Sequence, residues 1–194
     1  MPEIKRCYWV EKKSKDPLET KYHDQEWGRP LHDDQKLFEI LTLEIFQAGL
    51  SWQTILHKRS NFQQAFNHFD YYQIAEYDSK KYQQLLENTG IVRNKLKIKA
   101  TIKNAQAFLK IRDKFDSFDN YIWHFTKGKI IDHQITDYHQ VPTQNTLSQT
   151  ITKDLKKNHF SFIGPVGIYS FLQSIGIIND HEVTCNFYHP TTID

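Results

Sequence analysis

The sequence has 194 residues and a mass of 23.1 kDa, enough for one domain or two small ones, and its 39% hydrophobic content can fill a buried core, which excludes a disulfide-stapled miniprotein. Mean hydropathy is -0.66, no apolar run approaches the ~18 residues of a membrane span and the N-terminal segment has no apolar signal core, so a soluble, cytoplasmic protein acting away from membranes is expected. The 25 basic and 23 acidic residues leave a formal net charge of +2, so charge alone names no nucleic-acid partner and any such footprint has to be local.

Aromatic residues make up 14% while Gly and Pro number only 7 and 6, which argues against a loop-rich all-β or disordered chain and for helices around an aromatic core. From Asp33 to Gly49 apolar residues surround most of a helix, so this helix should be central, with Asp33 or Asp34 as its N-cap. Gly49 suits the left-handed position after its end and Ser51 can cap a second helix carrying Trp52, Ile55, Leu56 and Phe62, which makes Ala48-Gly49-Leu50-Ser51 a tight turn with an exposed tip. Ser79 to Asn88 reads as a short amphipathic helix. Thr89-Gly90 interrupts it before a longer run in which Ile98, Ile102, Ala105 and Leu109 recur at helical spacing. Thr126 to Asn145 reads as loop or a short hairpin; Leu147, Ile151 and Leu155 share a helical face, and Pro165 opens a buried helix that Gly176 stops. No repeat or linker breaks the chain, so residues 1–194 are read as a single all-α unit.

Four groups of residues could carry chemistry. Glu44 falls in the apolar stripe Leu37, Leu41, Glu44, Ala48, whereas Glu39 shares a face with Gln35 and Thr42, so Glu44 should be the less solvated carboxylate. Such an acid is protonated, paired, or open to a ligand; periodicity alone favours a capping or ion-pairing glutamate. Cys7 and His23 near one end, and His181 and Cys185 near the other as H-x-x-x-C on one helical turn, form a donor set suited to a closed tetrahedral zinc site, with chance spacing and a Cys7–Cys185 disulfide as rivals. The stretch Gly90 to Lys99 places backbone N–H groups beside Arg93, Lys95, Lys97 and Lys99, a cradle for phosphates or simply a solvated basic face. Trp9, Tyr22, Trp27 and Trp52 fall outside helices or at their ends, where a flat ligand could stack, or where they could pack in a core.

The segments Tyr22-His23-Asp24-x-Glu26-Trp27-Gly28, Leu43-Glu44-x-x-Gln47-Ala48-Gly49-Leu50-Ser51-Trp52, Gly90-Ile91-Val92-Arg93 and Asn179-Asp180-His181 together resemble the bacterial 3-methyladenine DNA glycosylase I family, in order and across nearly the whole chain. The resemblance implies a helix-hairpin-helix DNA glycosylase fold, with that motif near 79–112 and the two termini joined by a structural zinc site. It implies hydrolysis of the N-glycosidic bond of 3-methyladenine in alkylated double-stranded DNA after base flipping, by a monofunctional, monomeric enzyme that releases free 3-methyladenine. It assigns Cys7, His23, His181 and Cys185 to one zinc ion and Glu44 to recognition of the flipped base and its charge. Tyr22 and Trp52 become pocket residues, Tyr22 through a polar contact, with Trp9 and Trp27 as further walls. Leu50, presented by Gly49, is the residue that invades the duplex; Gly90, Arg93, Lys95 and Lys97 grip its phosphates. Ile45-Phe46 departs from the Gly and small or polar residue common in the family, and the C-terminal end lacks the extra cysteines of some relatives. Two other classes stay open: a module of the same fold that binds alkylated DNA without cleaving it, and a zinc hydrolase unrelated to DNA.

Overall fold

The computed structural model describes residues 4–190, which are mostly helical. A π-type turn over Trp9–Lys13 leads to α1 (Pro17–Gln25), started by Asp16, whose carboxylate accepts the amides of Leu18 and Glu19, and by Pro17 in the first turn. In α2 (Asp34–Gln47) and α3 (Trp52–Ala65) the caps are Asp33 and Ser51, each with a side-chain oxygen on the amide three residues ahead. As the apolar pattern predicts, α2 is central: every residue from Leu37 to Phe46 is buried. The unusual Ile45-Phe46 pair fills the space behind it, with the Phe46 ring 4.6 Å from that of Phe62 on α3, a burial worth roughly 1.5–3 kcal/mol for such a side chain.

The chain continues through α4 (Tyr71–Ala75), α5 (Ser79–Glu87), α6 (Lys95–Phe115), α7 (Phe118–Trp123), α8 (Thr146–Lys157) and α9 (Pro165–Ser174). Asp34 ties α2 to the far side of the molecule by accepting from Arg112 Nε at 2.8 Å and from the amides of Phe118 and Asp119. Two helix pairs joined by tight connections result, α5–α6 through residues 88–94 and α8–α9 through residues 158–164. One hydrophobic core runs from Leu37 to Ile178; a smaller cluster holds Cys7, Tyr22, Trp27, Leu56 and Cys185.

Two local expectations need correcting. The stretch from Thr126 to Asn145 is not a hairpin: its short strand β1 (Ile131–Asp132) pairs in parallel with β2 (Ile178–Asn179), just after α9. A two-residue strand has no periodicity to betray it, and its partner is remote in sequence. His181 and Cys185 do not share a helical turn either, because the segment after β2 is a series of turns in which the Cys185 amide reaches Glu182 O at 2.8 Å. The two ends of the described chain are laced together, Lys5 N donating to Asn186 Oδ1 at 2.6 Å and Asn186 N to Lys5 O at 2.9 Å. Among the described residues no helix is long and apolar enough to cross a membrane.

Candidate functional site

A cavity of about 410 Å³ opens between α1, α2, α9 and the loop around Tyr138–Thr143. Its walls are aromatic. Tyr22 and Trp52 lie with ring centroids 5.1 Å apart at 54°, and Trp9 meets Trp27 edge-on at 5.4 Å. The structure thus brings together Glu44 and all the aromatic residues singled out in the sequence. Glu44 Oε1 accepts from Ser174 Oγ at 3.1 Å, and Ser174 in turn accepts from the Tyr22 hydroxyl at 2.8 Å. The Tyr22 proton is therefore committed within the protein, and its phenol oxygen is left as an acceptor on the cavity wall.

Among the described residues, Glu44 Oε2 and the indole N–H groups of Trp9 and Trp52 are buried with no protein partner. Each such group ordinarily costs about 1–3 kcal/mol, so three around one cavity mark a place for a ligand's polar edge. Burial pushes the Glu44 carboxyl up to about 8 against the opposing hydrogen bond from Ser174. Burial does not separate it from Glu39, as the sequence suggested it would: the two are 7% and 8% exposed. Pairing does, because Glu39 accepts from Arg59 Nε at 2.8 Å and Gln63 Nε2 at 2.9 Å, whereas among the described residues no cation contacts Glu44.

Beside the cavity, Leu50 is 42% exposed at the tip of the α2–α3 turn, made possible by Gly49 at φ +81°. An adjoining cavity of about 400 Å³ is shared by Leu50, Glu44 and the α8–α9 connection at Phe162 and Gly164. The basic stretch is used differently from expectation. Arg93 and Lys95 are exposed, but Lys97 is 4% exposed and its ammonium donates to Phe46 O at 2.8 Å and Ala48 O at 2.6 Å, so it closes the end of α2 and is not free for phosphate. Gly90 is also spent internally, its N–H on Asn88 Oδ1 and its carbonyl on Lys58 and Asn61.

Cys7, His23, His181 and Cys185 are all buried, and their ligand atoms lie within 4.8 Å of one another. Both cysteines are free thiols. The donor set fits a metal ion. His181 Nδ1 lies 3.3 Å and 3.7 Å from the sulfurs of Cys7 and Cys185, and His23 Nε2 lies 3.7 Å from Cys185, close to the roughly 3.5 Å edges of a tetrahedron with zinc-type bond lengths. The outer nitrogens are occupied, His23 Nδ1 by Asp24 at 2.8 Å and His181 Nε2 by Trp27 O at 3.1 Å, so each ring turns its remaining nitrogen inward. The amides of Glu182 and Phe187 point at the sulfurs, as suits thiolates. Gly28 is required here: a Cβ on it would stand 2.7 Å from His181 Nε2.

Sequence reasoning missed Ser174, along with Gln47, Ser170 and Gln173 on the cavity wall. Ser170, Gln173 and Ser174 form an i, i+3, i+4 polar stripe on an otherwise apolar helix, and that was the available signal. A cavity walled by indole and phenol rings around an unpaired carboxylate is suited to a flat, electron-poor aromatic group, so fold and site define a helical protein with an aromatic pocket of that kind. Comparison with known proteins narrows this. A family model described as methyladenine glycosylase matches residues 9–189. DNA-3-methyladenine glycosylase 1 of Escherichia coli is 40% identical over 95% of this chain and 97% of its own, and DNA-3-methyladenine glycosylase of Haemophilus influenzae is 41% identical over 93% and 96%. Among solved structures, a crystal structure of 3-methyladenine DNA glycosylase I superposes with a TM-score of 0.90 at 44% identity, covering 96% of this chain and all of that one. The Staphylococcus aureus enzyme, solved to show how it recognises 3-methyladenine, superposes at 0.92 with 33% identity, covering 96% of this chain and 100% of its own. The chain belongs to the methyladenine glycosylase family.

Proposed function

We propose that the protein is a monofunctional DNA-3-methyladenine glycosylase that acts on double-stranded alkylated DNA as a monomer. The observation that carries this reading is the open Glu44 Oε2, set with two unpartnered indole N–H groups in one aromatic pocket. Alkylation at N3 gives the adenine a positive charge, so its bond to the sugar is weak and it leaves as a neutral base. The C1′–N9 electron pair goes to the base, water adds to C1′ and loses a proton, and an abasic site remains. Little acid catalysis is needed. Glu44 accepts from the donor edge of the flipped base and favours its charge, and Trp52 stacks on the ring. Among the described residues no lysine lines the cavity, and the reaction proceeds without a covalent imine to the sugar.

Leu50 enters the duplex where the base has left, with Gly49 allowing the turn that presents it. The helix-hairpin-helix over 79–112 grips the phosphate backbone with exposed Arg93 and Lys95, aided by the Val92 and Arg93 amides, which have no acceptor among the described residues. One zinc ion in the Cys7, His23, His181, Cys185 site has a structural role. The test is release of free base from methylated duplex DNA, with the Glu44→Gln variant alongside. Release of 3-methyladenine with little uracil or hypoxanthine is expected, as is the absence of a borohydride-trapped strand break. Tight binding without base release would instead assign a non-catalytic reader of alkylated DNA.

A further inference from the structure

Glu44 is held by one side chain of the cavity wall. Its Oε1 accepts from Ser174 Oγ at 3.1 Å, while Oε2 has no partner among the described residues. Ser174 is 6% exposed on the last turn of α9, and its hydroxyl also accepts from Tyr22 at 2.8 Å, so its own proton has one acceptor within reach. The chain of hydroxyls therefore has a fixed direction, Tyr22 to Ser174 to Glu44, and ends on a single carboxylate oxygen. Tyr22 and Ser174 also line a second, larger cavity of about 770 Å³ on the far side, so these two side chains are the wall between the pocket and that space.

We propose that Ser174 is the positioning residue of the site: by occupying Oε1 it fixes the carboxylate so that Glu44 meets the base through Oε2 alone, and it favours the ionised form that recognises a cation. The proposal rests on reading the cavity as the base pocket. The other titratable groups facing the cavity are Tyr22 on α1, Tyr169 on α9, and Tyr138 and His139 on the loop; behind Tyr22 stand Arg59, Glu26 and Glu39, which are paired among themselves. None of them donates to Glu44 in place of Ser174. Because the Ser174 hydrogen bond opposes the effect of burial on Glu44, removing it shifts the carboxyl further upward.

The experiment compares wild type, Ser174→Ala and Ser174→Thr by two readouts. The first is the carboxyl carbon-13 NMR titration of Glu44 in the protein alone. The second is the pH profile of kcat/KM for 3-methyladenine release from methylated duplex DNA. For Ser174→Ala the titration and the acid limb of the profile should both move up by about one pH unit, giving about a tenfold loss at pH 7 that is regained above about pH 9. Ser174→Thr should restore both. A titration that does not move, or a loss of the same size at every pH, would overturn the proposal and leave Ser174 as packing. A titration that moves in a protein releasing no base would uphold the role of Ser174 and sink the glycosylase reading.

Discussion

The two oxygens of Glu44 live in different surroundings, one held by Ser174 and one without a partner among the described residues, and burial makes its charge costly. Its folded-state pKa of about 8 lies above the ordinary 4.5, so burial favours the acid form. The stability that this group contributes is complete below pH 4.5 and is lost as pH rises through 8. Glutamine imitates the protonated acid and cannot ionise. Glu44→Gln should melt with wild type near about pH 5 and more stably near about pH 9, by on the order of a few kcal/mol, while losing much of its preference for cationic bases. Thermal melts at both pH values check the first statement; an unchanged difference between them would contradict it. The position of Glu44 in an apolar stripe was legible in the sequence. Its lack of an ion pair was not, because Arg59 could have served either carboxylate and chooses Glu39 only in three dimensions.

At the scale of elements, α2 and its end carry the site, and the sequence showed this well because caps, apolar periodicity and Gly49 all agree. The lysines of α6 were less readable. Composition places a lysine at the surface, yet Lys97 comes within reach of carbonyls left open where α2 ends. Lys97→Met should strand those carbonyls and cost about 2–4 kcal/mol, seen as a lower Tm, without altering the salt dependence of DNA binding. Arg93→Ala should do the reverse, leaving Tm in place and reducing the magnitude of the slope of log affinity against log salt by about one. Leu50 stands apart from both, since it is 42% exposed and holds little of the fold together. Leu50→Ala should slow excision from duplex far more than from single strands at nearly constant Tm; equal losses on both substrates with a large drop in Tm would mark it as a packing residue. The four polar residues on the cavity wall that the sequence did not disclose come from α2 and α9, and what unites them is helix packing.

For the whole molecule the decisive feature is the cluster that joins the two ends. Its helical surroundings were legible, but the spacing of two cysteines and two histidines was compatible with chance, and only their burial within 4.8 Å of one another makes a site. Cys7 and His181 are 174 positions apart, and a cross-link over such a span restricts the unfolded chain by about 5 kcal/mol in the loop-entropy picture. Cys7→Ser, or removal of the metal by a chelator, should therefore lower stability by several kcal/mol, and one zinc per chain should be found by metal analysis. Full stability after complete metal removal would disprove a structural role. The reciprocal contacts of Lys5 and Asn186 carry a different consequence. In topological terms the described chain is nearly a closed ring, and where the ring is cut matters little to the helices. A circular permutant, with a short bridge joining these segments and new ends at the exposed turn around Lys127-Gly128, should keep the same architecture. The four ligands would then lie close together along the chain, so the metal would close only a short loop. Its removal should lower Tm much less than in the native order, and the difference between the two Tm changes would measure how much of the metal's contribution is geometry of the unfolded state.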